Sequence, residues 1–215
     1  MATREKIKLT SYNELLGVNN DMISEIDINK LHQFKDHPFS VVDNEKMLEL
    51  AKSIENNGIL SPLLVRPLGD GEYEIISGHR RKRACEITGK KKVSAIIKDI
   101  SHEEAIPLMV DANFQREDTL PSEKAKAYKM KMEALAHQGK SSDEMSSAKK
   151  IGQLAGISDR QVQRYIRLTE LIPELSKLVD DKQITFVLGV EISFLKTEYQ
   201  QLIYENICKG KKVSK

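Results

Sequence analysis

A glycine that ends one short helical pattern and a serine that opens the next, Gly156 and Ser158, constrain this chain more than any other feature. Ala148–Ala155 has helical spacing, with Ile151, Leu154 and Ala155 read as inward and Gly152 keeping a small side chain where two helices cross. Gly156 stands where a tight turn needs a residue tolerant of positive φ. Ile157 plugs the inside of that turn, and Ser158 is a good N-cap. In the next helix Val162, Tyr165, Ile166 and Thr169 recur at i, i+3, i+4 and i+7, the spacing of a buried face. Arg160, Gln163, Arg164 and Arg167 share that spacing on another face. Major-groove reading requires such a helix. Arg offers paired donors to guanine, Gln a donor and an acceptor to adenine, and further Arg residues grip phosphates. The alternative is a helical hairpin with a solvated polar face. Small residues, glycine turn, serine cap and basic face coincide here, which favours DNA. Predicted DNA contacts are Gln163, Arg164 and Arg167, with Ser158, Arg160 and Gln161 near the helix start.

The 215 residues suit one or two domains. With 40% hydrophobic residues the chain has enough Leu, Ile, Val and Met for a core, which excludes long-chain disorder. No stretch approaches the ~18 consecutive apolar residues of a spanning helix, so no membrane role is expected. Residues 1–10 lack the apolar core of a secretory signal. Cys85 and Cys208 lie far apart, which excludes a disulfide or zinc framework and fits a cytoplasmic protein. The net charge is only +2, but it is unevenly placed. Residues 77–92 and 159–167 are strongly basic, and acidic residues gather elsewhere, as in 43–55. Two local positive sites imply two anionic ligands.

The first half reads as a small α/β unit. Residues 1–22 read as a tail and Ile26–Leu31 as a short strand. Asp43–Asn56 reads as a helix that Asp43 caps and Gly58 ends. Strands Leu63–Arg66 and Tyr73–Ile76 flank a Gly69-Asp70-Gly71 turn. A helix over His79–Ile87, a strand over Val93–Lys98 and a helix over Glu103–Asn113 follow, with Pro107 clouding the start of the last. The second half is all helical. Pro121 opens a helix with Ala125, Tyr128, Met132 and Leu135 on one face, and Gly139–Met145 is a polar loop. The expected fold is α+β: an α/β domain over 23–118, a helical domain over 119–209 with a helix-turn-helix at 147–171, and a basic tail over 210–215.

Two further segments carry polar chemistry. In Ser77–Ala84 (SGHRRKRA) a strand runs through Gly78 into a helix start. Free amides, the helix dipole and Arg80, Arg81 and Arg83 suit a phosphate, a nucleotide tail or a DNA backbone. The alternative is a basic helix continuing a DNA-contacting surface. In Asp111–Asp118 (DANFQRED), Asn113, Gln115, Arg116, Glu117 and Asp118 crowd ahead of a helix start. A group there could hold a magnesium ion bridging phosphates, with capping and loop hydrogen bonds as the competing use. The histidines, Cys85, Met130 and Met132 read as structural or surface residues.

These three segments together resemble the ParB-like partition protein family. SGHRRKRA is similar to its GERRxRA box, NFQRED to its ENxQR box, and Gly156–Leu175 to its helix-turn-helix. The resemblance runs from about Ile26 to Ile207 and leans to plasmid and conjugative-element members. It implies a homodimer that loads at a palindromic centromere-like site, closes as a CTP-gated clamp with magnesium, and works with a ParA-type ATPase at the bacterial nucleoid or a plasmid. Gly78, His79, Arg80, Arg81 and Arg83 would then face the triphosphate, with Asn113, Gln115 and Arg116 placing metal and phosphates and Asn113 the candidate magnesium ligand. Four positions depart from the pattern. Phe39 and Val42 replace the Arg and Phe of the first box, His79 replaces the Glu of GERR, and Ala112 replaces the Glu of the second box. The family's usual C-terminal dimerisation domain is not matched within these residues. A plasmid-type repressor, and a nucleotide hydrolase or nuclease of the broader superfamily, are the alternative functions.

Overall fold

A computed structural model describes residues 23–114, 118–137 and 144–210. The expected tail over 1–22, most of the polar loop and nearly all of the basic tail lie outside them. Two compact units form. One takes the chain up to Gln33 and then Asp43–Ile100; the other takes Phe34–Val42 and the chain from Ser101 onward. The division therefore falls ahead of 118, because the helix that follows Ser101 packs on the helices after it.

The first unit is a five-stranded mixed sheet in the order β1-β5-β3-β4-β2. Its strands are β1 (Ile23–Asp27), β2 (Leu31–His32), β3 (Leu63–Gly69), β4 (Glu72–Ser77) and β5 (Lys92–Ile97). Leu63, Leu64 and Val65 are all buried, as a central strand covered on both faces demands. The strand expected over Ile26–Leu31 is broken. The Asp27 carboxylate accepts from the Asn29 amide at 2.9 Å and turns Ile28–Lys30 into a 3₁₀ turn. Helix α1 (Glu45–Asn57) buries Met47, Ala51 and Ile54 on one face. Its cap is Asn44, whose side-chain oxygen accepts from the Met47 amide at 3.1 Å; the expected cap, Asp43, is engaged elsewhere. Helix α2 (His79–Ile87) follows β4 directly and buries Ala84 and Cys85.

The second unit is helical. Helix α3 (His102–Phe114) starts on a reciprocal capping box. The Glu104 carboxylate accepts from the Ser101 amide at 2.9 Å, and the Glu104 amide donates to the Ser101 hydroxyl oxygen at 3.2 Å. The helix runs through Pro107. Helix α4 (Pro121–His137) is the central element, burying Ala125, Ala127, Tyr128 and Ala134 together with the charged Glu123 and Lys131. Glu123 closes the start of α4 by accepting from the amides of Ser40 at 2.7 Å and Leu120 at 3.1 Å. After it come α5 (Glu144–Ala155), α6 (Asp159–Arg167), a 3₁₀ turn (Leu168–Glu170), α7 (Pro173–Asp180), α8 (Phe186–Ile192) and α9 (Thr197–Cys208). Two apolar clusters rest on α4: Tyr128 with Ala148, Ile151 and Val162, and Ala125 with Leu168, Leu171, Leu175 and Val179. Among the described residues no helix is long and apolar enough to cross a membrane.

Candidate functional site

The α5-turn-α6 segment has the local geometry that its residues dictate. Gly156 sits at φ 69°, in the left-handed region. The Ser158 hydroxyl oxygen accepts from the Gln161 amide at 3.2 Å and opens α6. Val162 is fully buried and Tyr165, Ile166 and Ile157 pack on the same cluster. A Cβ on Gly152 would lie 2.6 Å from the Ile157 carbonyl oxygen and 3.3 Å from the Asp159 nitrogen that opens α6, so glycine lets the turn and the start of the second helix pass close to α5. Leu154, expected inward, is 64% exposed. It lies roughly a quarter turn round from the line of Ala148, Ile151 and Ala155 at about 100° per residue.

Opposite the buried Val162, the side chains of Arg160, Gln163 and Arg164 are exposed, with Gln161 half-buried beside them. The fourth residue of that face behaves differently. Arg167 is half-buried; its Nη2 donates to the Ser193 carbonyl oxygen at 2.6 Å, and its guanidinium lies 4.3 Å over the Phe194 ring. Its Nε is buried and has no hydrogen-bond partner among the described residues. Arg167, predicted as a DNA contact, thus turns back onto the end of α8.

At the start of α2, Gly78 adopts φ 110°, and a Cβ there would lie 2.7 Å from Leu63 Cγ. Both the backbone and the space require glycine. A backbone hydrogen bond from the Lys82 amide to the Gly78 carbonyl oxygen at 2.9 Å closes the first turn, and the residues ahead of it lie at the positive end of the helix dipole. His79 and Arg80 are half-buried there, and Arg80 makes no ion pair with another described residue. The other predicted cations hold the protein itself. Arg81 Nη1 donates to the carbonyl oxygens of Ser61 at 2.5 Å and Pro62 at 2.7 Å. Arg83 pairs with Asp43 at 2.5 Å and Glu86 at 3.2 Å. The Arg83 hydrogen bonds hold the Asp43 carboxyl below the usual carboxylate range.

Asn113, near the end of α3 in the second unit, donates through Nδ2 to the Met109 carbonyl oxygen at 2.8 Å. With Phe114, Tyr128, Ile157 and Tyr165 it lines a cleft of about 80 Å³. Burial, with Tyr165 nearby, pushes the Tyr128 hydroxyl up to about 12. Asp111 is bonded to Lys131, a buried ammonium that also lies 5.0 Å over the Phe114 ring. Burial pulls Lys131 down and Asp111 opposes it. Gln115 and Arg116 lie outside the described residues. Among the described residues no three His, Cys, Asp or Glu side chains converge as a metal site.

Comparison with known proteins identifies the family. Residues 12–114 match the model of the ParB N-terminal domain. A chromosome-partitioning protein Spo0J of Thermus thermophilus is 39% identical over 141 residues, covering 66% of this chain and 48% of that protein. The chain belongs to the ParB-like partition protein family. A nucleoid occlusion protein of Listeria monocytogenes is 28% identical to this ParB-like chain over 199 residues, covering 93% of it and 66% of the relative. The chain is also similar to the crystal structure of a C-terminally truncated ParB from Caulobacter crescentus complexed to the centromeric parS site. That likeness has a TM-score of 0.55 at 26% identity and covers 87% of this chain and 92% of the other. The α+β class read from the sequence agrees with it. The ParB-like chain spans about half the length of its Thermus relative, and the matched N-terminal model begins inside the stretch read as a tail.

Proposed function

We propose that this chain is a DNA-binding partition protein that lays α6 in the major groove of a palindromic, centromere-like duplex. The observation that carries the reading is the exposed Arg160, Gln163 and Arg164 face on a Ser158-capped helix whose other face is anchored by buried Val162. Gln163 and Arg164 are the groove readers, and Ser158, Arg160 and Gln161 hold the helix start on the backbone. Likeness to a ParB structure complexed with parS supports this reading. A palindrome calls for a two-fold protein, so the bound form is a homodimer. A ParA-type ATPase is its proposed partner.

The start of α2 is the proposed nucleotide site. Gly78, His79 and Arg80 stand at the positive end of the helix, where Gly78 lets phosphates approach the backbone and Arg80 adds a guanidinium, while Arg81 fixes the Ser61–Pro62 backbone ahead of β3. Family resemblance makes CTP the nucleotide. Magnesium, also proposed from the family resemblance, would rest chiefly on phosphate oxygens and water.

Replacing Arg164 by Ala should cost roughly 1–3 kcal/mol of discrimination between the palindrome and a mismatched duplex. Unchanged affinity and unchanged discrimination would overturn the docking of α6. Calorimetric titration with CTP, ATP and GTP, with and without palindromic DNA, tests the second site. CTP heats lost in Arg80→Ala support it. Spreading beyond the loading site separates a partition clamp from a repressor, and phosphate release or nicking would point to an enzyme.

A further inference from the structure

β1 is an outer strand of the sheet. One of its edges pairs antiparallel with β5, from Ile23 opposite Ile96 to Asp27 opposite Lys92, and the other pairs with no described strand. A bare strand edge is a template for a further strand. The outer strand on the far side of the sheet, β2, is only two residues long and offers much less. The two faces of β1 differ in chemistry. Ser24 and Ile26 share a face with the buried Val93 and Ala95 of β5. Ile23, 63% exposed, shares the other face with Glu25 and Asp27. Glu25 accepts a hydrogen bond from the Ser94 hydroxyl at 2.7 Å, and Asp27 accepts the Asn29 amide already described. Neither carboxylate forms an ion pair with a described residue.

We infer that the bare edge of β1 is a strand-addition site for residues 6–10 of this same chain, Lys-Ile-Lys-Leu-Thr, which lie outside the described residues. Charge and alternation set an antiparallel register. Lys6 opposite Asp27 and Lys8 opposite Glu25 place a cation against each carboxylate, and the same register places Ile7 opposite Ile26, Leu9 opposite Ser24 and Thr10 opposite Ile23. Ile7 and Leu9 then extend the apolar face of Ile26, Val93 and Ala95, and the Thr10 methyl group covers Ile23. A slip of one residue would set both lysines on that apolar face. Residues 11–22 are long enough to turn the chain back along β1. The same charges reject a second copy of β1 as the occupant. With a two-fold axis at Glu25 that residue faces itself, and with the axis at Ile26 it faces Asp27, acid on acid in both cases. The inference depends on neither DNA nor nucleotide binding.

NMR of the full chain tests this through cross-strand NOEs and amide exchange. The expected NOEs join Ile7 to Ile26 and Lys8 to Glu25, and the amides of residues 7–9 include some that exchange at least about tenfold more slowly than in a random coil. Lys8→Glu lowers that protection about fivefold, and adding Glu25→Lys to it restores the protection, because the facing charges are opposite again. The amide of Val65, buried in the central strand, keeps its protection in every variant and so reports that the sheet stays folded. Random-coil exchange throughout residues 6–10 of the wild type would overturn the inference and leave Glu25 and Asp27 as guards of a bare edge. NOEs from residues 6–10 to another element, or a charge swap that restores nothing, would also overturn it. So would NOEs between two copies of β1 that grow with protein concentration, the mark of a second chain on that edge.

Discussion

Arg167 Nη2 and the Ser193 carbonyl oxygen are 2.6 Å apart, and this bond ties the last turn of α6 to the end of α8. Ser193 is the C-cap of α8, so its carbonyl is one of those that a helix leaves without an internal partner. A guanidinium there meets the negative end of the helix dipole and gains from the Phe194 ring below it. The side chain that looks like a fourth DNA contact is thus a strut that holds the angle of α6.

Arg167→Ala should therefore lower the urea midpoint and weaken binding to every duplex by a similar factor. The dependence of affinity on salt should keep its slope, because no phosphate contact is lost. Arg160→Ala should leave the midpoint unchanged and reduce the slope by about one ion. A slope reduced by about one in Arg167→Ala would assign that residue to the DNA backbone instead.

Asp43 and Arg83 give a pH signature. Hydrogen bonding to Arg83 lowers the Asp43 pKa in the folded chain. The stabilisation is therefore complete above the ordinary Asp value of about 3.9 and is lost as the pH falls through the lower folded value. A carbon-detected NMR titration should place the Asp43 midpoint below that ordinary value and return it upward in Arg83→Gln. An unmoved midpoint contradicts the pairing.

The Lys131–Asp111 pair predicts an asymmetry. Lys131 is 2% exposed, so Asp111→Ala strands a buried ammonium and should cost about 3–5 kcal/mol in urea unfolding. Lys131→Met keeps the volume, removes the buried charge and leaves Asp111 at the surface, so it should come out near neutral or stabilising. Equal losses from the two substitutions would show that the pair acts through packing rather than charge.

Gly152→Ala places a methyl group 2.6 Å from the Ile157 carbonyl oxygen. A backbone atom cannot swing away as a side chain can, so the turn must shift, at a cost of about 1–3 kcal/mol. Differential scanning calorimetry should show a lower transition, with weaker DNA binding as α6 is displaced. A transition within about 0.5 kcal/mol of wild type would mean that the turn yields freely.

Local signals carried much of this architecture. Gly156, Ser158 and the Val162 face were legible because a turn, a cap and a helical stripe are each fixed within a few residues. Ser101 and Glu104 carry the capping-box spacing that fixes the start of α3, a signal present in the sequence ahead of Pro107. The fates of the charged side chains were not legible. Glu123 closes on an amide 83 positions away, Arg83 pairs 40 positions back, Arg81 bonds carbonyls 19 and 20 positions back, and Arg167 reaches forward 26. No periodicity in one segment reports a partner that only the fold brings near. The same reason hid Lys131: a lysine on a helix reads as solvated until its whole surroundings are known.

The nine residues Phe34–Val42 sit with the helices that follow Ser101, where Phe34 stacks on His102 at 4.7 Å and the Ser40 amide reaches Glu123. Anyone grafting the helical half of this chain onto another protein must carry that short stretch along as well. A transplant begun at Ser101 would arrive with a hole where Phe34 and Phe39 belong and a carboxylate looking for its missing amide.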